Sequence, residues 1–439
     1  MLDVLIIGGG VSGLYAAYRL QAQGLKVLVL EANSRLGGRL WTIHTPEGHP
    51  IDLGGQWVGP QHTRTLTWIQ KEKIPLHPTY TEGDNLLIKA NKRYRYKGTI
   101  PRLSWAALVD LGWGLARLKR LVQQVRLEAP WEVPNPSWDA LTLRAWMQAN
   151  LRTAEARETF AVGLATVLGC EPEEVSLWHT LVYIRSASGL EPLIETEGGA
   201  QALKFSEGAG KLIESLAQKT TWQMETRVHT LRWQGSCVEV ETNRGTFTAR
   251  AALLALPPAA MSSLRFEPPL PPPYQQLPQR MPMGSVTKVV AIYDRPFWRE
   301  EGLSGHTLSL TGALRITFDT SPPDGAYGQI TGFAVGRLAR MLLYESPEHR
   351  QAYYAEALRQ LFGRPARWVY QKTWAEEPLI GGCYAGYFGP GGWSLFGRAL
   401  RQPLPPLYWC GTERAVAWMG YIEGALGAAE AAVAQLTAS

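Results

Sequence analysis

The chain opens with a continuous apolar run, Val4–Ile7, which is typical of a parallel strand buried on both faces. A glycine-rich break follows, and the apolar positions over residues 14–20 then have helical spacing. A second apolar run, Val27–Leu30, ends directly at Glu31. This order predicts strand, turn, helix and strand, with an acid at the tip of the second strand.

Three glycines, Gly8, Gly10 and Gly13, lie in the break between the first strand and the helix. In this spacing the first allows a tight turn, the second lets a pyrophosphate approach the backbone, and the third lets helix and strand pack closely. The phosphates then lie against free N–H groups at the helix start, where the helix dipole favours negative charge. Glu31 is placed to accept hydrogen bonds from ribose hydroxyls. The segment therefore predicts a dinucleotide-binding site.

Two further glycine pairs follow this acid. Gly37-Gly38 lies between Arg35 and Arg39, which is compatible with a loop that supports the cofactor and also with a surface turn carrying solvated arginines. A hairpin predicted over 41–53 leads to the segment Gly54–Trp57, where the backbone has room to lie against a flat ring.

The remaining pattern predicts that the cofactor fold is interrupted twice. Residues 78–201 are helix-rich, with amphipathic segments at 103–127, 138–150, 153–167 and 175–188. A β-meander is predicted at 227–232, 237–242 and 246–248, and a buried apolar run follows at 251–256. A second excursion from about residue 280 has strands at 286–293, 308–311 and 329–333 and a helix at 348–362. A strand at 407–410 and a helix at 421–436 return to the cofactor.

These motifs resemble the FAD-binding amine oxidase family, and most closely the monoamine oxidases of the soluble, bacterial type. The resemblance is carried by residues 8–13, 31, 35–39, 52–57, 283–288, 295–298, 381–388, 408–413 and 418–424. It implies an α/β (α+β) fold in which a mixed-sheet and helical substrate-binding domain is inserted into a Rossmann-like FAD-binding domain. The implied FAD-binding segments are 1–77, 205–280 and 385–439, and the implied substrate-binding segments are 78–204 and 281–384.

The resemblance makes FAD, rather than NAD, the expected cofactor and assigns its contacts. The implied cofactor-binding residues are Gly8, Gly10, Gly13, Glu31, Arg35, Gly38, Arg39, Gly54, Gly55, Gln56, Trp57, Val228, Trp374, Cys383, Gly411, Thr412, Glu413, Tyr421 and Ile422. The helix start near 420–422 would direct N–H groups at the pyrimidine end of the flavin. In monoamine oxidases the cysteine that matches Cys383 is tethered to the flavin, whereas other branches bind FAD without a tether, so both states stay open here.

Three residues are the implied catalytic groups. Tyr384 and Tyr421 match the aromatic cage that admits and polarises a narrow amine; the alternative is two tyrosines packed in a core. Lys288 lies in a strand rich in Val and Ile, and the family's lysine at this position holds a water beside flavin N5. The alternative for Lys288 is an outward-facing side chain on an alternating strand.

The expected reaction is FAD-dependent oxidation of an amine, with O2 reduced to H2O2 and the imine hydrolysed to aldehyde and ammonia. An L-amino acid oxidase would need a buried arginine, for which Arg185 and Arg315 are the candidates. A polyamine or putrescine oxidase would use acids such as Glu195 and Glu197. A desaturase-type flavoenzyme is a further rival; a flavin protein without turnover is disfavoured by the cage tyrosines and the lysine. Gln201 is the candidate substrate contact.

Composition narrows the picture a little further. At 439 residues the chain is long enough for two domains, and its formal net charge of +6 permits anionic partners. The bases are scattered, apart from 89–97 and 117–120; we assign the latter to the polar face of the helix at 103–127, with a membrane-surface role as the alternative. No nucleic-acid-binding motif is present.

The four cysteines, Cys170, Cys237, Cys383 and Cys410, have neither disulfide-framework nor metal-site spacing. The N-terminus enters a strand at once, and no apolar run reaches the eighteen or so residues that span a bilayer. The chain stops at Ser439, where eukaryotic monoamine oxidases continue into an anchoring tail. We therefore expect a cytoplasmic enzyme that uses a small-molecule amine and O2, with no metal, nucleic acid or membrane anchor; a homodimer stays open.

Overall fold

A computed structural model of the chain describes residues 1–90 and 92–438; Asn91 and Ser439, which fall within the predicted segments 78–204 and 385–439, lie outside the described residues. The strands are β1 Leu2–Ile7, β2 Val27–Leu30, β3 Thr42–His44, β4 Pro50–Asp52, β5 Trp57–Val58, β6 Leu76–Pro78, β7 Asp84–Lys89, β8 Lys92–Tyr96, β9 Leu203–Phe205, β10 Trp222–Gln223, β11 Val228–Gln234, β12 Cys237–Thr242, β13 Gly245–Leu254, β14 Arg265–Glu267, β15 Val286–Tyr293, β16 Leu303–Ser309, β17 Ile316–Asp319, β18 Gly328–Val335, β19 Trp368–Thr373 and β20 Leu407–Trp409. The helices are α1 Val11–Gln21, α2 Thr63–Glu72, α3 Trp105–Val122, α4 Pro136–Ala140, α5 Leu143–Asn150, α6 Ala154–Leu168, α7 Leu177–Ser186, α8 Glu191–Ile194, α9 Gly210–Ala217, α10 Pro272–Arg280, α11 Phe297–Glu300, α12 Arg337–Met341, α13 Pro347–Phe362, α14 Gly392–Arg401 and α15 Ile422–Thr437.

The first sheet has the order β10-β2-β1-β13-β12-β11-β14, with β20 also paired to β13. Strands β2, β1, β13 and β20 run parallel to one another, which places their carboxyl ends along one edge, whereas β12 is antiparallel to β13. Helices α1, α9 and α15 cover one face through a shared apolar core. The predicted Rossmann-like unit is confirmed, and its parallel strand ends form the edge at which such sheets bind ligands.

The second sheet is mixed, in the order β19-β15-β18-β17-β16-β7-β8. Strand β15, next to the edge strand β19, pairs antiparallel with β18 and β19, and all eight of its residues are buried. Its strands lie within 78–204 and 281–384, whereas those of the first sheet lie within 1–77, 205–280 and 385–439. The division of the chain into two domains stays a prediction.

Two local expectations need correction. The helix expected over 138–150 is two helices, because Leu141 is extended and Thr142 caps α5 by accepting a hydrogen bond from the Ala145 N–H at 3.1 Å. The strand expected at 246–248 and the buried run at 251–256 form one strand, β13, whose first half pairs with β12 and whose second half pairs with β1 and β20. A search of the described residues found no helix long and apolar enough to cross a bilayer.

Candidate functional site

A single cavity of about 800 Å³ runs from the carboxyl edge of the first sheet to the second sheet and on between the helices. Most of the predicted site residues line it: Gly8, Gly10, Glu31, Gly38, Arg39, Gly54, Gly55, Gln56, Trp57, Gln201, Val228, Lys288, Trp374, Cys383, Tyr384, Gly411, Thr412, Tyr421 and Ile422. The predicted contacts Gly13, Arg35 and Glu413 do not line it. Residues from both excursions and from the cofactor fold therefore meet in one space.

At the first-sheet end, Glu31 is held with both carboxylate oxygens fixed. One oxygen accepts the Gly9 N–H at 2.7 Å and the other accepts the Asn33 N–H at 2.8 Å. Each oxygen keeps a lone pair, so the group is preorganised to accept hydroxyl donors. The N-terminus of α1 lies beside it with no side-chain cap and no acid in its first turn, which leaves its N–H groups for an anion.

Gly13 and Gly10 have different roles: Gly13 allows the helix to pack, and Gly10 leaves space for a ligand. A Cβ on Gly13 would lie 2.1 Å from the carbonyl oxygen of Gly8, so helix α1 needs glycine there to pack on β1. A Cβ on Gly10 would meet nothing closer than the Gly38 Cα at 4.0 Å, so packing alone does not require glycine at this cavity-lining position. The space in front of Gly10 fits a pyrophosphate pressed against the backbone, as FAD requires.

The two arginines around the first glycine pair do different things. Arg39 forms a buried ion pair with Glu413, with N···O distances of 2.6 and 3.2 Å, and donates to the Tyr384 carbonyl at 2.8 Å. Burial alone would raise the pKa of the Glu413 carboxyl, but Arg39 lowers it overall. This pair ties the N-terminal loop to the C-terminal segments. Arg35 instead donates to the Gly38 carbonyl at 2.9 Å and lies over the Trp41 ring.

Lys288 lies at the middle of the cavity, inside the second sheet. Its ammonium donates to the Gly54 carbonyl at 2.8 Å and to Gln56 Oε1 at 2.6 Å. Burial lowers the pKa of Lys288 to about 7, so the neutral amine is accessible near physiological pH. Two buried donors beside it, Gln56 Nε2 and Trp57 Nε1, have no partner in the described structure. Unpartnered donors are costly unless a ligand accepts from them, which fits the carbonyl-rich ring of a flavin.

The N-terminus of α15 lies across the cavity. Tyr421 is its N-cap and provides no side-chain cap, and the acid of the first turn, Glu423, instead accepts from Thr65. Thr412 fixes the approach to the helix by accepting the Gly420 N–H at 2.7 Å and donating to the Tyr421 carbonyl at 3.0 Å. The free N–H groups of this helix start offer positive potential to an electron-rich ring edge.

Tyr384 and Tyr421 lie in the same part of the cavity, each supported by a different set of rings. Tyr384 packs edge-on against Phe333, with ring centroids 5.9 Å apart. Tyr421 packs against Trp418 at 5.2 Å and His62 at 5.5 Å. Burial raises the pKa of both tyrosines, so both hydroxyls stay protonated.

The supporting rings were missed by the sequence analysis. Burial lowers the pKa of His62 to about 3, so this histidine is a neutral ring that buttresses Tyr421. Phe333 lies on β18, and its apolar strand pattern carries no sign of a site. Both rings were missed because they are far along the chain from the tyrosines that they touch, and no local signal reports such a contact.

Cys383 is a buried thiol in the cavity wall, 4.0 Å from the Val286 carbonyl oxygen. Burial raises the pKa of the thiol to about 12, so it is protonated at neutral pH in this environment. All four cysteines are free, and Cys237 is the exposed one. Within the described part of the chain no group of three His, Cys, Asp or Glu residues could hold a metal ion.

Most of the cavity wall is apolar, although Asn85, His306 and Asp319 also line it. The apolar side chains include Phe160, Leu164, Leu193, Ile316, Phe318 and Phe333. Gln201 also lines the cavity, while Glu195 and Glu197 line its exposed outer part. The two candidate carboxylate-binding arginines point elsewhere: Arg185 donates to Gln123 and Arg315 to the Leu310 carbonyl, and neither lines the cavity.

The sequence pattern of the flavin-containing amine oxidoreductase family matches residues 11–437. A putative flavin-containing monoamine oxidase, AofH, from Mycobacterium tuberculosis is 34% identical over 447 residues, covering 100% of this chain and 97% of the relative. An L-amino acid dehydrogenase from Synechocystis is 35% identical, covering 98% of this chain and 93% of the relative. Among solved structures, cyclohexylamine oxidase from Brevibacterium oxydans has a TM-score of 0.94 at 30% identity, covering 100% of this chain and 99% of that one. A putrescine oxidase bound to putrescine has a TM-score of 0.93 at 27% identity, with the same coverage.

Proposed function

The chain belongs to the flavin-containing amine oxidase family, and we propose that it acts on primary monoamines whose substituent is apolar. The protein is an FAD-dependent amine oxidase, as expected from its sequence motifs. When bound, FAD would supply the two-electron chemistry that removes a hydride equivalent from the carbon beside the amine nitrogen and passes the electrons to O2, giving H2O2. The imine is then hydrolysed to aldehyde and ammonia.

The observation that carries the choice of substrate is the lining beyond the cage. Arg39 and Arg227 are the arginines among the described cavity-lining residues; Arg39 is neutralised by Glu413, and Arg227 directly precedes Val228 at the first-sheet end. A substrate carboxylate near the cage would thus be buried without an arginine to bind it, and the cavity-lining Lys288, whose pKa burial lowers to about 7, already donates to Gly54 and Gln56. An apolar substituent gains from the same lining.

The residues around the reacting amine would position it and control its charge. Tyr384 and Tyr421 present two neutral rings, so an amine between them is oriented without being held by a fixed charge. Lys288, with its pKa near 7, would hold a water molecule and exchange a proton with it at neutral pH. The start of α15 would stabilise negative charge on the ring that it faces. Glu31 and the start of α1 would hold the ribose and pyrophosphate.

Two rival substrate classes come from the relatives. The Synechocystis relative is named an L-amino acid dehydrogenase, and a similar structure is a putrescine oxidase. An amino acid would need an arginine at the cage, and a diamine would need an anchoring acid. Glu195 and Glu197 line the cavity, but both are exposed to water, where an ion pair contributes little. Asp319 also lines it and is buried, but its carboxylate is already paired with Arg299 at 2.7 Å.

Matched substrate pairs test the proposal with the purified holoenzyme and a peroxide assay. Phenethylamine and L-phenylalanine differ by one carboxylate, and hexylamine and 1,6-diaminohexane differ by one ammonium. We expect kcat/KM to be at least about tenfold higher for the first member of each pair. A preference for phenylalanine or for the diamine would contradict the proposal and favour the corresponding rival.

A thioether between Cys383 and FAD is a further proposal, supported by the position of this thiol in the cavity wall. Acid denaturation of the holoenzyme should then leave the flavin on the polypeptide, and Cys383→Ala should release it while still binding FAD. Flavin released from the unaltered chain by acid would contradict the tether.

We also propose a cytoplasmic location, supported by three buried free thiols and the exposed Cys237. Cell fractionation with a periplasmic marker tests it; recovery with that marker would overturn it. Sedimentation equilibrium of the holoenzyme decides between a monomer and a homodimer.

A further inference from the structure

Helix α3 presents an apolar face to solvent. Trp105, Val109 and Trp113 follow one another at every fourth position, so they lie on one side of the helix. Trp105 is 80% exposed and Trp113 is 61% exposed. Tryptophan is usually well buried, and an exposed set on one helix face marks an interaction site.

The packing of α3 does not account for this face. Its inner side, Ala107, Leu111, Leu118 and Val122, is buried in the helical core. A helix that only covers a core needs apolar residues on that one side and polar residues on the other. The helix therefore carries a second apolar face that the folded chain leaves without a partner.

The charges around this face have one sign. Residues 97–127 contain six cationic side chains and one acid, Asp110. The Asp110 carboxylate is occupied at the start of α6, where it accepts hydrogen bonds from the Arg152 and Thr153 N–H groups. The exposed cations on α3 and the loop before it that form no ion pair with the described residues are Lys97, Arg102, Arg117 and Arg120.

The face lies beside the opening of the cavity. Ile100, in the loop that leads into α3, lines the cavity and is 52% exposed, so the cavity reaches the surface here. Pro101 lines the cavity from the same loop, and Leu111 and Leu115 line it from α3 itself. Anything that covers the outer face of α3 thus lies next to the entrance.

We propose that α3 docks this face on an anionic phospholipid bilayer. Tryptophans at the depth of the headgroups and arginines paired with lipid phosphates are the combination that such a surface binds. A second copy of the chain fits less well, because two such faces would bring their unpaired arginines together with no acid between them. Docked in this way, the cavity entrance faces the membrane, where apolar amines concentrate.

Vesicle sedimentation of the holoenzyme tests the proposal. We expect binding to vesicles of equal parts phosphatidylglycerol and phosphatidylcholine, about tenfold weaker binding to phosphatidylcholine alone, and release at high salt. Trp105→Ser with Trp113→Ser should weaken binding to the anionic vesicles by about tenfold or more. Arg102→Glu with Arg120→Glu should do the same, and should abolish the preference for anionic lipid.

A matched control uses exposed apolar residues elsewhere. Met341 and Tyr344, at and after the end of α12, are also strongly exposed, and Met341→Ser with Tyr344→Ser should leave binding unchanged. FAD content and turnover of a water-soluble amine show that each variant is folded. The proposal is overturned if the unaltered holoenzyme stays in the supernatant, if the tryptophan variant binds as well as the unaltered chain, or if that variant instead converts a dimer to a monomer.

Discussion

The two ends of the cavity are built in different ways. The first-sheet end consists mainly of backbone, the glycine turn and the uncapped start of α1, together with one fixed side-chain carboxylate, Glu31, all within the first thirty-one residues. The amine end consists of side chains from both excursions and from the C-terminal segment, and most of them are apolar. A site made of backbone requires particular residues at fixed spacing, whereas a site made of apolar walls requires only volume and shape.

The largest expected effects come from the backbone end. Gly13→Ala places a Cβ 2.1 Å from the Gly8 carbonyl oxygen, so we expect a loss of about 3 kcal/mol or more in the free energy of unfolding. Gly10→Ala clashes with nothing and should keep the fold, but its methyl group enters the proposed pyrophosphate space. We expect FAD affinity to fall by about tenfold or more. Thermal unfolding and the flavin-to-protein ratio distinguish the two.

If Gly10→Ala retained full flavin and Gly13→Ala melted normally, the separation of packing from ligand access at this turn would be wrong. The pair also explains why this end could be predicted from the sequence. Each glycine is required by a local steric constraint, and such a constraint is visible in the sequence as a glycine at a fixed position.

The middle of the cavity is tested by Lys288→Met. The variant keeps an apolar stem of similar length but loses the amine that we propose to hold a water. We expect the reaction of the reduced enzyme with O2 to slow by about 100-fold, while anaerobic reduction by the amine changes by less than about fivefold. Stopped-flow absorbance measures both. Equal losses in the two steps would assign Lys288 a structural role instead.

The lowered pKa of Lys288 also implies that the free energy of unfolding depends on pH. Its ordinary pKa of 10.5 is lowered by burial to about 7. Between these values the unfolded chain binds a proton that the folded chain has released, so the free energy of unfolding rises with pH. The cost of burying the ammonium is fully present below pH 7 and is lost above pH 10.5. Denaturant unfolding at pH 7, 8 and 9 should show a shallower rise for Lys288→Met than for the exposed-site control Lys26→Met.

The cage should show a smaller effect that depends on the ring. Tyr421→Leu removes the ring that His62 and Trp418 support, and we expect kcat/KM to fall by about 30-fold, with Tyr421→Phe retaining most of it. Tyr354→Leu alters a buried tyrosine that does not line the cavity and should lower stability without lowering kcat/KM. A phenylalanine variant as slow as the leucine variant would show that the hydroxyl, not the ring, matters.

The sequence predicted the fold class, the nucleotide end and most of the strands that carry the site, because strand periodicity and glycine spacing are local. The sequence also indicated that Lys288 has a functional role, since a charged side chain is out of place among the apolar residues of the fully buried strand β15. The broken helix at Leu141 and the ring packing of His62 and Phe333 were missed. The ring packing depends on contacts between distant segments, which no local pattern encodes, whereas the helix break has a local signal, the Thr142 N-cap, that the apolar spacing across it outweighed.

The smallest expected effect tests whether the amine end of the cavity recognises charge on the substrate. Glu195 and Glu197 line the outer cavity but are exposed, so water and salt screen any attraction to a distal ammonium. Glu195→Gln with Glu197→Gln should therefore change the ratio of kcat/KM for hexylamine and 1,6-diaminohexane by no more than about twofold. If kcat/KM for the diamine instead fell sharply while kcat/KM for hexylamine did not change, these acids would bind a second ammonium. The amine end would then select its substrate by charge, like the nucleotide end, rather than by volume and shape.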